Sequence, residues 1–137
     1  LGRKALLEAF SRDTGELLWR SPLDGRPGAG VAAGEDCLVV EDVQALVSVA
    51  PADGSKLSSF SSETGWRGAP ALALGMAVAV DGTRVVAVDP VLGGELWSLE
   101  LKELANEERL SSVSIIDGRI YLRSASELFC VGEEELR

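Results

Sequence analysis

Few residues in this chain have chemistry to offer. Cys37 and Cys130 are the only thiols among 137 residues, and histidine is absent. Without imidazole, the Ser-His-Asp relay and the commonest zinc sites are excluded. Each cysteine stands inside an apolar, strand-like run, where a thiol packs as a small hydrophobe. Buried free thiols are therefore the expectation, with a disulfide as the alternative. Carboxylates are plentiful, but they fall in turns or in the Glu107-Glu108 and Glu133-Glu134-Glu135 clusters, which read as solvated faces. No spacing matches an EF-hand calcium loop or a phosphate-cradling glycine loop. Asn106 is the single asparagine. The residues thus assign no catalytic group, no metal ligand and no cofactor-binding residue, and no cofactor is expected.

Composition narrows the remaining classes. The net charge of −9 and the scatter of 13 basic residues argue against nucleic acid, whose phosphates require clustered Lys and Arg. An apolar content of 46% is that of a chain with a packed core. No run reaches the roughly 18–20 apolar residues of a membrane span. The longest, Ala69 to Val80, is broken by Pro70 and Gly75, so no transmembrane helix is expected. The sequence opens at Leu1 without a methionine or a charged, apolar leader; any targeting segment is expected to have been removed or to lie outside it.

The elements that position these residues come from a repeat. Gly15, Gly54 and Gly93 stand 39 residues apart, and each closes a stretch that reads strand, turn, strand. A period near 40 suits one four-stranded propeller blade. In the second unit the strands are Val31 to Ala33, Cys37 to Val40, Gln44 to Val49 and Ser55 to Phe60. In the third they are Pro70 to Leu74, Met76 to Val80, Arg84 to Val88 and Glu95 to Leu99. In the fourth they are Val113 to Ile116, Arg119 to Arg123 and Glu127 to Val131. Asp-Gly pairs accept the positive φ of tight hairpins, and the Val/Ala runs fill sheets covered on both faces. Val88 and Val131 are 43 residues apart, so Leu101 to Arg109 reads as a four-residue insertion, with a short helical turn expected there. The approximate units are 1–27, 28–66, 67–109 and 110–137, all within one domain.

One phrase is more specific than the period. Ala87, Asp89, Gly93 and Trp97 form A-x-D-x-x-x-G-x-x-x-W; Ala9, Ser11, Gly15 and Trp19 keep all but the aspartate. The second copy has decayed to Ser48, Ala50, Gly54 and Ser58, and Cys130 falls where the next alanine would stand. This pattern resembles the tryptophan-docking motif of the pyrroloquinoline-quinone-like propeller repeats, over nearly the whole chain, and is similar to that of outer-membrane assembly lipoproteins. The resemblance implies that each indole lies between the alanine of its own motif and a peptide plane of the neighbouring blade. Ala9, Gly15, Trp19, Gly54, Ala87, Asp89, Gly93 and Trp97 are then structural docking residues. A buried indole covers on the order of 200 Å² and is a strong seam contact. Trp66 lies off this register, after the turn-like Glu63-Thr64-Gly65. It is expected on a blade edge, as an aromatic for partner contact and less important to stability than Trp97.

Quinoprotein dehydrogenases of the same resemblance add a calcium ion held by Asp, Asn and Glu, an aspartate base and often a disulfide between adjacent cysteines. Cys37 and Cys130 are far apart in the chain, and no enzymatic activity is expected for this segment. About three and a half blades fit in 137 residues, fewer than the four to eight of closed propellers. Either further blades of the same propeller complete the ring, or copies self-associate. The leading functional reading is a non-catalytic scaffold that binds protein partners, with an extracytoplasmic, periplasmic setting implied by the resemblance. The alternatives are a segment of a quinone-dependent dehydrogenase, and a sensing or docking propeller appended to an adenylating or signalling enzyme.

Overall fold

A computed structural model describes residues 5–23, 27–42, 45–62, 64–101 and 109–131. Every element assigned among them is a β-strand: β1 (Ala5–Phe10), β2 (Leu17–Leu23), β3 (Pro27–Ala33), β4 (Leu38–Asp42), β5 (Ala45–Val49), β6 (Lys56–Ser61), β7 (Trp66–Ala73), β8 (Met76–Asp81), β9 (Arg84–Val88), β10 (Glu95–Glu100), β11 (Ser112–Ile116), β12 (Arg119–Arg123) and β13 (Leu128–Val131). They form four antiparallel meanders in chain order: β1-β2, β3-β4-β5-β6, β7-β8-β9-β10 and β11-β12-β13. Among the described residues, two complete four-stranded blades thus stand between a two-stranded and a three-stranded sheet, the all-β propeller architecture that the period implied. The helical turn expected over Leu101 to Arg109 falls mostly outside the described residues, as do Glu107, Glu108 and Glu133 to Glu135.

Local turn chemistry fixes the meanders. Leu74-Gly75 and Asp117-Gly118 link their strands with positive φ at both positions (53° and 75°, 49° and 74°), the conformation that matches strand twist in two-residue hairpins. The inner strands start earlier than their apolar runs suggest. β3 begins at Pro27 and β7 at Trp66, because a register shift in each, between Pro27 and Val31 and between Arg67 and Ala71, carries the strand past Gly30 and Gly68. The bulges allow the inner strands to crowd. A Cβ on Gly30 would lie 3.4 Å from Ala69 Cβ, and one on Gly68 only 2.4 Å from the Ser111 carbonyl oxygen.

The core is the set of seams between sheets. Along β8, Val78 and Val80 join Val85, Ala87, Leu110, Val113, Ile120, Leu122 and Val131 in the seam with the fourth sheet. Ala77 and Ala79 point the other way, into a seam with Cys37, Val39 and Leu46 of the second sheet. The period-2 alternation of side chains therefore feeds two cores from one strand.

Trp66 belongs to the second of those cores, which corrects the expectation of an accessible blade-edge aromatic. It is 5% exposed, its ring lies 6.1 Å from that of Phe60, and its Nε1 donates to the Phe60 carbonyl at 3.4 Å. The cause is its place at the start of β7, where Arg67 turns outward and Trp66 turns into the seam. Trp97 is only half-buried. Trp66→Ala is accordingly expected to lower the unfolding free energy by about 3–5 kcal/mol, as large-to-small core changes do, and Trp97→Ala by less. Urea titrations of both variants followed by far-ultraviolet circular dichroism compare the two losses.

Candidate interaction site

The docking residues converge on a six-residue hairpin loop that occurs three times. Its closing bonds are Ser11 N–H to Glu16 O (2.8 Å), Ala50 N–H to Ser55 O (2.8 Å) and Asp89 N–H to Gly94 O (3.0 Å). Inside each loop the glycine amide donates four residues back: Gly15 to Ser11, Gly54 to Ala50 and Gly93 to Asp89. The three glycines share φ values of 76°, 76° and 75°, a left-handed conformation that a Cβ disfavours. Asp89 Oδ1 accepts from the Val91 and Leu92 amides at 2.9 and 3.0 Å, and Ser11 Oγ accepts from Asp13 and Thr14 at 3.3 Å. Serine thus does the aspartate's work in the first copy. Ala50 cannot; in that copy Asp53 accepts from the Ser55 amide and hydroxyl at 2.9 and 2.7 Å, which lowers its carboxyl pKa.

These loops receive side chains across the seams. Ala9 is the cross-strand neighbour of Trp19, and Ala87 that of Trp97. Trp19 reaches from β2 to the second sheet, where its Nε1 donates to the Pro51 carbonyl at 2.8 Å and its ring lies over Gly54. A Cβ built on Gly54 would meet Trp19 Cε3 at 2.5 Å, so only glycine leaves room for the indole. Ser58, in the place of the second tryptophan, makes the same polar contact one sheet on, donating from Oγ to the Pro90 carbonyl at 2.7 Å with its Cβ near Gly93. Trp97 packs on the seam between the third and fourth sheets; the loop that would follow it there falls outside the described residues. Pro51 and Pro90 were not singled out from the sequence, although they stand at one repeat offset immediately before the loop tips.

In an up-down meander the β3–β4, β7–β8 and β9–β10 turns share one end of the sheets. There they line a groove of about 300 Å³ between the second and third sheets, with Leu72 and Cys37 inside and Glu35, Asp36, Leu74 and Val91 around it. Leu72 fits because residue 34 is glycine: a Cβ there would lie 2.7 Å from Leu72 Cδ2. Burial chiefly raises the Cys37 thiol pKa, the adjacent Ser48 hydroxyl opposes the rise, and the charges of Asp36 and Asp89 add to it. Cys130 departs from expectation. It is a free thiol like Cys37 but exposed, because β13 turns Phe129 and Val131 toward the core while nothing among the described residues covers its other face.

A polar cleft of about 300 Å³ occupies the opposite end, lined by Thr64, Asp81, Thr83, Arg84, Glu100 and Arg109. Buried Asp81 accepts a hydrogen bond from Thr64 and faces Arg84 Nη2 at 3.5 Å; Thr83 donates to Glu100. Among the described residues no three His, Cys, Asp or Glu side chains converge as metal ligands. No described helix is long and apolar enough to cross a membrane.

Four-stranded antiparallel meanders set side by side, joined at their seams through repeated loops, define a β-propeller of pyrroloquinoline-quinone-like repeats. A family model described as outer membrane protein assembly factor BamB matches residues 3–132, and the chain belongs to that family. No curated protein matches it by sequence. Among solved structures it is similar to BamB from Moraxella catarrhalis (TM-score 0.79, 18% identity), over 98% of this chain and 46% of that one. It is also similar to the computationally designed Ika8 protein (TM-score 0.72, 14% identity, 91% and 39% of the two chains). The quinohemoprotein alcohol dehydrogenase ADHIIG from Pseudomonas putida HK5 shares the fold at a TM-score of 0.64 and 14% identity, over 79% and 18% of the respective chains. The chain spans less than half the length of each of these structures.

Two tests apply, the first of them to the seams. Gly15 and Gly54 share one backbone conformation, but no atom lies within 4 Å of a Cβ on Gly15. Gly15→Ala should cost only the left-handed strain, about 1–2 kcal/mol, and Gly54→Ala a further 1–3 kcal/mol or so for overpacking against Trp19. The extra loss should vanish in a Trp19→Ala background, a coupling read from a denaturant double-mutant cycle. The second test is Glu41, which is 4% exposed with an Oε2 that has no hydrogen-bond partner. Desolvation raises its pKa above the ordinary 4.5. A raised native pKa means that stability is full below the unfolded value and is lost as pH rises through the native one. Glu41→Gln should therefore be more stable than the parent at pH 7, with the difference closing at pH 4, in melts compared across that range.

Proposed function

We propose that this propeller segment is a non-catalytic scaffold that binds protein partners through the turn end of its sheets. One observation carries the reading: exposed apolar side chains clustered at turn tips beside a groove. Leu74 and Leu92 are 81% and 83% exposed at the tips of adjacent turns, with Val91 beside them. Exposed apolar groups clustered around a groove mark interaction surfaces more often than isolated ones do. Hairpin turns closed by backbone hydrogen bonds hold these tips in place, which limits the backbone ordering cost of binding. The similarity to BamB, whose family description is an assembly factor, points the same way.

Cross-linking in producing cells, followed by purification of the protein, is expected to recover a polypeptide partner in fixed stoichiometry. Titration with pyrroloquinoline quinone and calcium is expected to give no dye reduction with alcohol substrates. Dye reduction that depends on both additives would overturn the scaffold reading in favour of a dehydrogenase segment.

A further inference from the structure

The groove between the second and third sheets has a chemical character that selects its occupant. Its apolar side is built from Leu72, Leu74 and Val91, and its polar rim carries Glu35 and Asp36 with no basic residue among the lining groups. The Asp89 carboxylate lies behind the rim, held by the Val91 and Leu92 amides. The field at the groove is therefore negative on a chain whose net charge is already −9.

Leu74 is the telling residue. It occupies the first position of a two-residue turn at φ 53°, and the matching turn of the fourth sheet has Asp117 there at φ 49°. Asp tolerates that conformation through its own local hydrogen bonding, whereas a bulky side chain is strained in it. The third sheet thus holds a leucine where the backbone favours aspartate, and points it into solvent at the mouth of a groove. Neither the turn nor the core gains from this choice. A bound group at the groove would supply the gain.

We propose that this groove binds an extended, cationic and apolar segment of a partner protein, placing an apolar side chain against Leu72, Leu74 and Val91 and a Lys or Arg at Glu35 and Asp36. The proposal rests on the scaffold reading and names its partner chemistry. A groove of about 300 Å³ is at the small end of ligand pockets, which suits one or two side chains of a strand and excludes a helix face. Opposite charges on rim and ligand would speed encounter and set its direction.

The probe is a fluorescein-labelled octapeptide of alternating leucine and lysine, titrated against the purified protein and read by anisotropy, beside its leucine-glutamate counterpart. The lysine peptide is expected to bind at least tenfold more tightly than the glutamate one, and to weaken as salt is raised. Leu74→Asp, which installs the residue that the fourth sheet uses in this turn and so spares the fold, is expected to weaken binding at least tenfold. The double variant Glu35→Lys with Asp36→Lys is expected to remove the charge preference. Leu128→Asp, an equally polar change at an exposed residue of β13, should leave binding intact. Equal affinity for the two peptides, no binding by either, or full affinity in Leu74→Asp would overturn the proposal. A parent dimer that Leu74→Asp converts to monomer in sedimentation would also overturn it, by assigning the groove to a second copy. If the cross-linked partner is recovered as well by Leu74→Asp as by the parent, the groove is wrong and the scaffold reading stands. Quinone-dependent dye reduction would instead defeat the scaffold reading itself.

Discussion

The inner sheets of this fold have two faces to bury, and the packing of large side chains on small ones across the seams is what allows both to be buried at once. β8 carries the constraint most plainly. Its valines, Val78 and Val80, enter the seam with the fourth sheet, and its alanines, Ala77 and Ala79, enter the seam with the second. Against the alanines come larger groups of the second sheet, Leu46 and Val39. Size on one sheet is matched by its absence on the next, as close packing at interior density requires. Exchanging Ala77 for a larger residue would push two blades apart at a point where neither has room to move. The same crowding explains Gly68, whose missing Cβ admits the Ser111 backbone.

The loops serve the seams. Each six-residue hairpin carries a left-handed glycine for conformational reasons, and at Gly54 and Gly93 the absent Cβ becomes the seat for a side chain from the preceding sheet. The conformational requirement is common to all three described loops, whereas the seating requirement applies to two, with different partners. Trp19 fills its seat with an indole, and Ser58 fills the next with a hydroxyl. Both satisfy a proline carbonyl at the same offset. The polar contact is thus retained where the apolar area is lost, and the seam between the second and third sheets relies instead on Trp66 and its neighbours in the core. A large aromatic that enters from the inner strand compensates for one missing from the outer strand.

What could be read from the residues alone follows from this division. Backbone requirements recur in every unit, so Gly15, Gly54, Gly93 and the Asp-Gly turns disclosed the period, the hairpins and the blade architecture. Requirements met once leave no period. Trp66 was read as an edge residue because it stands outside the register, yet a single anchor in a single seam is under no obligation to repeat. Its alternation with Arg67 and its place ahead of a bulged strand were the available signals. Cys130 misled for a related reason: an apolar strand implies burial only where something covers both faces. The groove has no signature in the sequence, since it is assembled from turns of two sheets whose proximity depends on how the seams close.

Turn tips obey different rules from seams. A seam residue is judged by its neighbour across the interface, and a substitution there is felt by two sheets. A tip such as Leu74 is judged only by its own φ and by solvent, and both disfavour leucine; Asp117 shows what those pressures select when they act alone. Glu41 presents the converse case, a carboxylate held in a buried strand position where desolvation opposes its charge. The two residues run against local preference in opposite directions, one apolar in water and one ionisable in a core. Their consequences differ because of where they sit. The energetic penalty at Glu41 falls on the second sheet itself and varies with pH. That at Leu74 is confined to a two-residue loop and leaves the seams untouched, so the fold can carry it at a surface available to other molecules.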